Sequence, residues 1–504
     1  MRERALTASV ALVLLIGAFA VVTATLLSVG TLDDVGYPDG ATLLIVREFV
    51  RSGHMYLGVH SPPYLVTLYG PLTYVLLSIP YRVAEAVGAS PVVAIRLTLV
   101  GGVLMCVALV YAISRRVNGP SSVAWLCVLF ALSTPALAGW TTQVRPDFFG
   151  LGFALLSLYL FLGSNGLGSN EHRLPVAAVI CAGLALLFKQ TFVAAPAAIL
   201  LYLLYRRRWR EAAFWSLGVA AVAIGGYLLA LWREPLMLEH LAALQKPVFE
   251  FRGVPLILLG ALLVPTLPFA ALGGVLAQRQ AGDAGRLVLG YCLLAWLVAL
   301  GTIVQVGGNI NYFWEPLFVS ALLAGPGVGV IQRWQGRKLA LAGGLGIVLL
   351  FGLVLRQDFG IIDGTYSQWM YRSTRQANWD SLVSIVSGKR LLSTVPAVTM
   401  LSVSPEMPDP YLSTVLERRG RWSSAPVVAD LEAGRYDLII EIAQYQAIFE
   451  GTTVWYRGIE IWSDAMREAL LRAYEPVCAF DGKHLWLPRF RPRDPDLLRL
   501  CVTY

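Results

Sequence analysis

Residues 5–30 read ALTASVALVLLIGAFAVVTATLLSVG and are followed by Thr31-Leu32-Asp33-Asp34-Val35-Gly36-Tyr37. The apolar run is long enough for a helix across a hydrocarbon core about 30 Å thick. The two acids stand where that helix would emerge into water, and ionisable groups so placed are functional candidates by default. Arg2 and Arg4 ahead of the run, with small residues from Ala18 to Ala24, give it the outline of a signal peptide. Its apolar core is longer than the ~7–15 residues of such a signal, so an uncleaved helix is expected.

The rest of the chain extends that reading. Hydrophobic residues make up 57% and charged residues 14%, with a mean hydropathy of +0.63, a balance that excludes an ordinary soluble domain. Apolar runs of roughly 17 to 25 residues recur to about Leu355. The net charge of +8 does not point to nucleic acid, because the basic residues cluster in short loops between apolar runs. Arg115-Arg116, Arg173, Arg206-Arg207-Arg208-Trp209-Arg210, Arg279 to Arg286 and Arg333 to Lys338 all read as cytoplasmic. Parity then predicts about 11 transmembrane helices, near 5–29, 92–113, 120–140, 148–163, 174–189, 191–205, 212–232, 254–277, 287–306, 313–331 and 339–355. Pro71 to Val87 is left out of the count, since a span there would throw Arg115 and Arg116 outside. With Tyr74, Tyr81 and Arg82 it reads as an interfacial helix of the first outer loop, an extra span being the alternative.

On this topology nearly every polar motif faces outward. Asp33, Asp34 and Asp39 share that side with Arg145-Pro146-Asp147, Lys189-Gln190-Thr191, the loop from Trp232 to Arg252, and Asn309 to Glu315. Residues 1–355 thus form an all-α polytopic membrane unit. From residue 356 charges run throughout. Helical periodicity at 377–386 and 464–474, with strand patterns at 435–441 and 484–487, predicts a small α/β domain outside the membrane over 356–504. Cys106, Cys127, Cys181 and Cys292 fall in apolar spans as small core residues. Cys478 and Cys501 fall in the outer domain, either bonded or as free thiols. The pairs Gly101-Gly102, Gly225-Gly226 and Gly343-Gly344 suit close helix packing.

The motif series now carries a family resemblance. Asp33-Asp34-Val35-Gly36-Tyr37 after the first helix, then Tyr69-Gly70-Pro71-Leu72-Thr73-Tyr74, Arg145-Pro146-Asp147 and Lys189-Gln190-Thr191 occur in that order. Trp232-Arg233-Glu234-Pro235 with Glu239-His240, and Asn311-Tyr312 with Glu315, complete it. The series resembles the GT-C glycosyltransferases that use polyprenyl-phosphate sugars, in particular the protein-mannosyltransferase and aminoarabinose-transferase group and its RgtA/B/C/D-like bacterial relatives. The resemblance covers roughly residues 1–355.

It implies a multi-pass plasma-membrane enzyme, inverting and acting on the outer face, with a polyprenyl-phosphate sugar as donor and a glycan, lipid or protein as acceptor. In such enzymes the first-loop acid activates the acceptor, and distance to Tyr37 matches it to Asp33. The chemistry agrees: a sugar on phosphate is already activated, so transfer needs a carboxylate for the acceptor proton and cations for the departing phosphate. Asp33 or Asp34 could be that base, with Asp147 positioning a substrate. Arg145, Lys189, Lys246 and Arg252 are the phosphate-binding candidates. Tyr37, Tyr69, Gln190, His240, Asn311, Tyr312 and Glu315 complete the expected substrate-binding set.

Plainer readings compete at each position. The Asp33-Asp34 pair and Asp147 suit helix caps, and Lys189 suits a snorkelling lysine. His240 suits surface decoration, and Asn311, Tyr312 and Glu315 suit an interfacial anchor. The chain also departs from the family. Tyr69 and Gly70 precede Pro71 where the aminoarabinose branch carries a lysine, which puts that branch's lipid A acceptor in doubt. Only Asp147 stands in the second loop where metal-dependent oligosaccharyltransferases carry acid pairs, so no cofactor is required and a divalent metal is not favoured. A transporter or flippase of lipid-linked sugars is the competing class. It is weighed down by the lack of internal repeats and by the gathering of acids at one face. A membrane scaffold is a third reading.

Overall fold

The structure is a computed structural model that describes residues 2–30, 37–163, 175–244, 266–279, 282–304, 309–332, 352, 359–364, 366–367, 369–400, 410–442, 455–456, 459–460, 462–491 and 502–503. Asp33, Asp34, Lys246, Arg252, Cys501, Gly343 and Gly344 lie outside these residues, as does the expected span at 339–355.

The chain is an integral membrane protein built mainly of helices. Its membrane part comprises α1 (Arg2–Val29), α2 (Tyr37–Ser52), α3 (Pro71–Ala86), α4 (Pro91–Asn118), α5 (Ser121–Leu132), α6 (Asp147–Gly163), α7 (Val176–Phe188), α8 (Ala194–Tyr205) and α9 (Trp209–Arg233). α10 (Thr266–Arg279), α11 (Gly282–Ile303) and α12 (Trp314–Gln332) follow. Among the described residues, four helical stretches are long and apolar enough to cross a membrane: Ala8–Val29, Pro91–Asn118, Trp209–Arg233 and Gly282–Ile303. α5, α6, α7, α8 and the start of α10 are shorter apolar helices.

The run expected as one span at 120–140 is divided. α5 stops at Leu132, and a separate 3₁₀ turn spans Pro135–Gly139. Pro135 lacks an amide hydrogen and restricts Thr134 to extended backbone, so the helix cannot continue through it. α3 packs against α4, α2 and α7, with Tyr74, Leu77 and Tyr81 buried while Ile79 and Val83 are exposed. Of the glycine pairs, Gly102 and Gly226 sit against Phe149 and Leu187, where a methyl group would crowd its neighbour, whereas Gly101 and Gly225 face open space.

The C-terminal portion is α/β. Arg372–Val386, Ala425–Glu432 and Asp464–Ala473 are helices, and a five-stranded sheet has the order β1-β2-β6-β5-β7. Its strands are β1 (Leu391–Ser393), β2 (Leu438–Ile442), β5 (Tyr474–Phe480), β6 (Lys483–Pro488) and β7 (Val502–Thr503), with β3 (Trp455–Tyr456) and β4 (Ile459–Glu460) in a separate ribbon. β1 and β2 are parallel, and the other pairs of the larger sheet are antiparallel. Cys478 of β5 is disulfide-bonded, while Cys106, Cys127, Cys181 and Cys292 are free and buried.

This portion packs on α2 and the segment between α2 and α3. Trp422 Nε1 donates to the Val59 carbonyl at 2.9 Å and its ring meets Tyr64 edge-on. Arg47 of α2 donates to the Met400 carbonyl. From the other side, the Met55 amide donates to Glu234 at 3.0 Å. His240 Nδ1 accepts from the Thr67 amide at 3.0 Å, and its Nε2 lies 2.7 Å from the Leu57 carbonyl. The segment between α2 and α3 is therefore stapled from two directions.

Candidate active site

Asp147 is the first residue of α6, placed by Pro146, whose carbonyl accepts the Gly150 amide. Its carboxylate bonds to two other segments. Lys189 Nζ lies 2.8 Å from Asp147 Oδ1, and Asn311 Nδ2 donates to both oxygens at 3.3 and 3.4 Å. Lys189 terminates α7 in extended backbone, where the helix ends and the chain turns into α8. Its ammonium also sits over the Tyr312 ring, 4.4 Å from the centroid. Asn311 and Tyr312 belong to a 3₁₀ turn, Ile310–Phe313, capped by the Asn309 side chain.

A second ion pair stands beside the first. Asp39, in the first turn of α2, faces Arg145 at 3.5 Å, and the Arg145 guanidinium lies over Trp140 at 4.4 Å. Asp39 is 4% exposed and Asp147 2%, so both carboxylates are removed from water. At 3.5 Å the Asp39–Arg145 contact is one of charge, and neither Asp39 Oδ1 nor Arg145 Nε has a hydrogen-bond partner among the described residues; Asn311 Oδ1 is likewise unpaired.

Burial pushes the Asp39 carboxyl up to about 6, against the opposing pull of Arg145, Arg96 and a Val144 backbone hydrogen bond. Burial raises the proton affinity of the Tyr69 phenol, and the fields of Arg145, Asp147, Lys189 and Asp39 reach it. Buried ion pairs add little net stability over apolar packing, so two adjacent ones are better explained by chemistry than by folding.

Glu315, at the start of α12, accepts from the Tyr291 hydroxyl at 2.8 Å. With Lys189, Thr191, Asn311 and Tyr312 it lines a cavity of about 10 Å³, room for one water. Gln190 is exposed and reaches the Tyr227 phenol. His240 does not join the cluster: both ring nitrogens are engaged by backbone, so its place here is to hold the segment between α2 and α3. The Tyr37 backbone begins α2. Among the described residues, no three His, Cys, Asp or Glu side chains converge as metal ligands.

Two members were missed from sequence. Asp39 reads there as one more outer acid near a helix start, and Arg96 as part of an apolar run. The signal for Arg96 was present, since a charge inside such a run is a functional candidate in its own right.

Gly70 fixes where Tyr69 enters. Its amide and the Thr73 hydroxyl both donate to the Phe188 carbonyl, at 3.1 and 3.2 Å. A Cβ on Gly70 would lie 2.1 Å from the Leu187 carbonyl oxygen. Gly70→Ala should therefore cost about 1–3 kcal/mol through overpacking, read as a lower unfolding temperature, and should displace Tyr69 from Lys189.

Residues 71–232, about a third of the chain, match the family model described as dolichyl-phosphate-mannose-protein mannosyltransferase. Among solved structures, ArnT from Cupriavidus metallidurans bound to undecaprenyl phosphate aligns over 94% of this chain and 97% of its own, at 15% identity and a TM-score of 0.58. The apo form of the same protein aligns over 99% and 100%, again at 15% identity and 0.58. The Archaeoglobus fulgidus oligosaccharyltransferase tethered to an acceptor peptide aligns over 94% of this chain and 73% of its own, at 13% identity and 0.51. No curated protein sequence matches the chain. The fold is that of the ArnT and oligosaccharyltransferase structures.

Proposed function

We propose that the chain is a membrane glycosyltransferase. It moves one hexosyl or pentosyl unit from a polyprenyl-phosphate donor to an acceptor hydroxyl on a glycan, glycolipid or protein, on the outer side of the plasma membrane. The observation that carries this reading is the buried Asp39–Arg145 and Asp147–Lys189 pairs meeting around Tyr69 within a GT-C fold. Residues 1–355 hold the reaction, and residues 356–504 form an extracytoplasmic domain resting on the first outer loop.

In this reading the acceptor oxygen attacks the anomeric carbon as the carbon–oxygen bond to phosphate breaks, inverting the centre. The acceptor proton passes to a first-loop carboxylate. Asp33 and Asp34 were expected there from sequence; we assign the role to Asp39, whose Oδ1 faces Arg145 at 3.5 Å without accepting a hydrogen bond among the described residues and whose carboxyl is pushed up to about 6, near neutrality as general-base catalysis favours. The leaving polyprenyl phosphate gains one negative charge while Asp39 loses one, so the charge of the site is conserved. Lys189 and Arg145 hold the phosphate, and Asp147, fixed by Asn311, orients Lys189. Helices of 13 and 12 residues are about 20 and 18 Å long, short of the hydrocarbon thickness. This sinks the Lys189 turn to a depth where a lipid phosphate can meet it.

Purified protein given radiolabelled polyprenyl-phosphate sugars and envelope acceptors should release polyprenyl phosphate in step with sugar transferred. Lipid movement across liposomes without cleavage would instead establish a transporter.

A further inference from the structure

We propose that the stretch between the membrane part and the α/β portion, residues 359–371, lies on the bilayer surface as an interfacial anchor. On sequence it falls in the unit expected outside the membrane from residue 356, where charges run throughout. Between Phe359 and Tyr371, however, the one charged residue is Asp363. Residues 359–364, 366–367 and 369–370 are helical, and Phe359, Tyr366, Trp369, Met370 and Tyr371 are all exposed. So many large apolar side chains turned outward along one short stretch mark an interaction surface.

Two sets of contacts fix its place. Ile361 packs against the apolar core of the membrane helices. Beyond Tyr371 the chain enters the helix Arg372–Val386, whose Trp379, Leu382 and Val386 are buried in a cluster shared by α2, α3 and the α/β portion. The Tyr371 amide donates to the Ser367 carbonyl at 3.1 Å and the Arg375 amide to the Tyr371 carbonyl at 2.9 Å, so backbone hydrogen bonds carry across the junction. The exposed side chains are thus held against the membrane part at one end and the shared core at the other.

Their chemistry names the occupant. The Tyr366 and Trp369 rings lie 6.2 Å apart, and the Arg372 guanidinium covers the Trp369 ring at 4.9 Å from its centroid. Amphipathic rings beside a cation with an apolar stem suit the headgroup level of a bilayer, where tyrosine and tryptophan concentrate. Asp363 and Arg372 cancel in charge, so the stretch seats by burying apolar and aromatic surface rather than by attraction to anionic lipid. Seated there, it holds the α/β portion at a fixed distance from the bilayer.

Nitroxide labels test the placement without any need for activity. Met370→Cys and Glu468→Cys, the second on an exposed position of the helix Asp464–Ala473, are labelled in the full chain reconstituted into phosphatidylcholine vesicles. Cys106, Cys127, Cys181 and Cys292 are buried, and unsubstituted protein carried through the same labelling gives the background. The ratio of oxygen collision to collision with a water-soluble nickel chelate should be several-fold higher at position 370 than at 468. Adding phosphatidylglycerol should leave that ratio unchanged. Equal nickel access at the two positions would place the stretch in water and overturn the proposal. Spin–spin broadening at 370 with exclusion of both reagents would show a second copy of the chain covering this face, and would also overturn it.

Discussion

Asp39→Asn is expected to lower kcat for sugar transfer by roughly 10²–10⁴-fold, the usual contribution of a positioned general base, while the donor still binds. The amide keeps the shape of the carboxylate but cannot take the acceptor proton. The same assignment fixes the sign of the pH dependence. Asp39 must be ionised to act, so wild-type kcat/KM should rise with pH through about 6 and flatten above it. The variant leaves Arg145 without its counter-ion, so unfolding temperature must be measured alongside. Loss of transfer in a folded Asp39→Asn protein supports the assignment, whereas retained transfer with loss in Asp33→Asn would pass the role to Asp33.

Lys189→Met should be damaging in two separable ways. Losing the ammonium strands the Asp147 carboxylate in a buried site, a change that costs about 3–5 kcal/mol when one partner of a buried pair is removed. It also removes a charge-assisted contact to the lipid phosphate of about 1.5–3 kcal/mol, roughly 10- to 150-fold in donor affinity. The double variant Lys189→Met/Asp147→Leu separates the two, because replacing both charges by apolar groups of similar size is near neutral for stability. We expect it to recover the wild-type unfolding temperature and to remain inactive. Recovery of both stability and transfer would make the Asp147–Lys189 pair purely structural.

Much of this architecture can be read from residues alone, because it follows from local pattern. Apolar runs marked the helices, alternation at 435–441 and 484–487 marked β2 and β6, and the charges from residue 356 marked the α/β portion. The gathering of Asp147, Lys189 and Asn311 was also legible, since loop parity put all three on one face. What stayed hidden depends on contacts distant in sequence. Asp39 becomes a site residue only because Arg145 is folded against it, and nothing near Asp39 in the chain announces that partner. His240 was expected to bind substrate, with surface decoration as the plainer reading; its partners, the Thr67 amide and Leu57 carbonyl, are backbone atoms that carry no sequence signature. The break of the expected span at 120–140 was legible in Pro135, but hydropathy outweighed it.

The central claim is that the charge cluster around Tyr69 transfers sugar from a polyprenyl phosphate. The most direct measurement is single-turnover transfer in proteoliposomes loaded with radiolabelled polyprenyl-phosphate sugar, comparing wild type, Asp39→Asn and Lys189→Met/Asp147→Leu at matched folded protein. The account predicts stoichiometric appearance of glycosylated acceptor and polyprenyl phosphate with the wild type, and neither with the two variants. Equal transfer by all three proteins would contradict it.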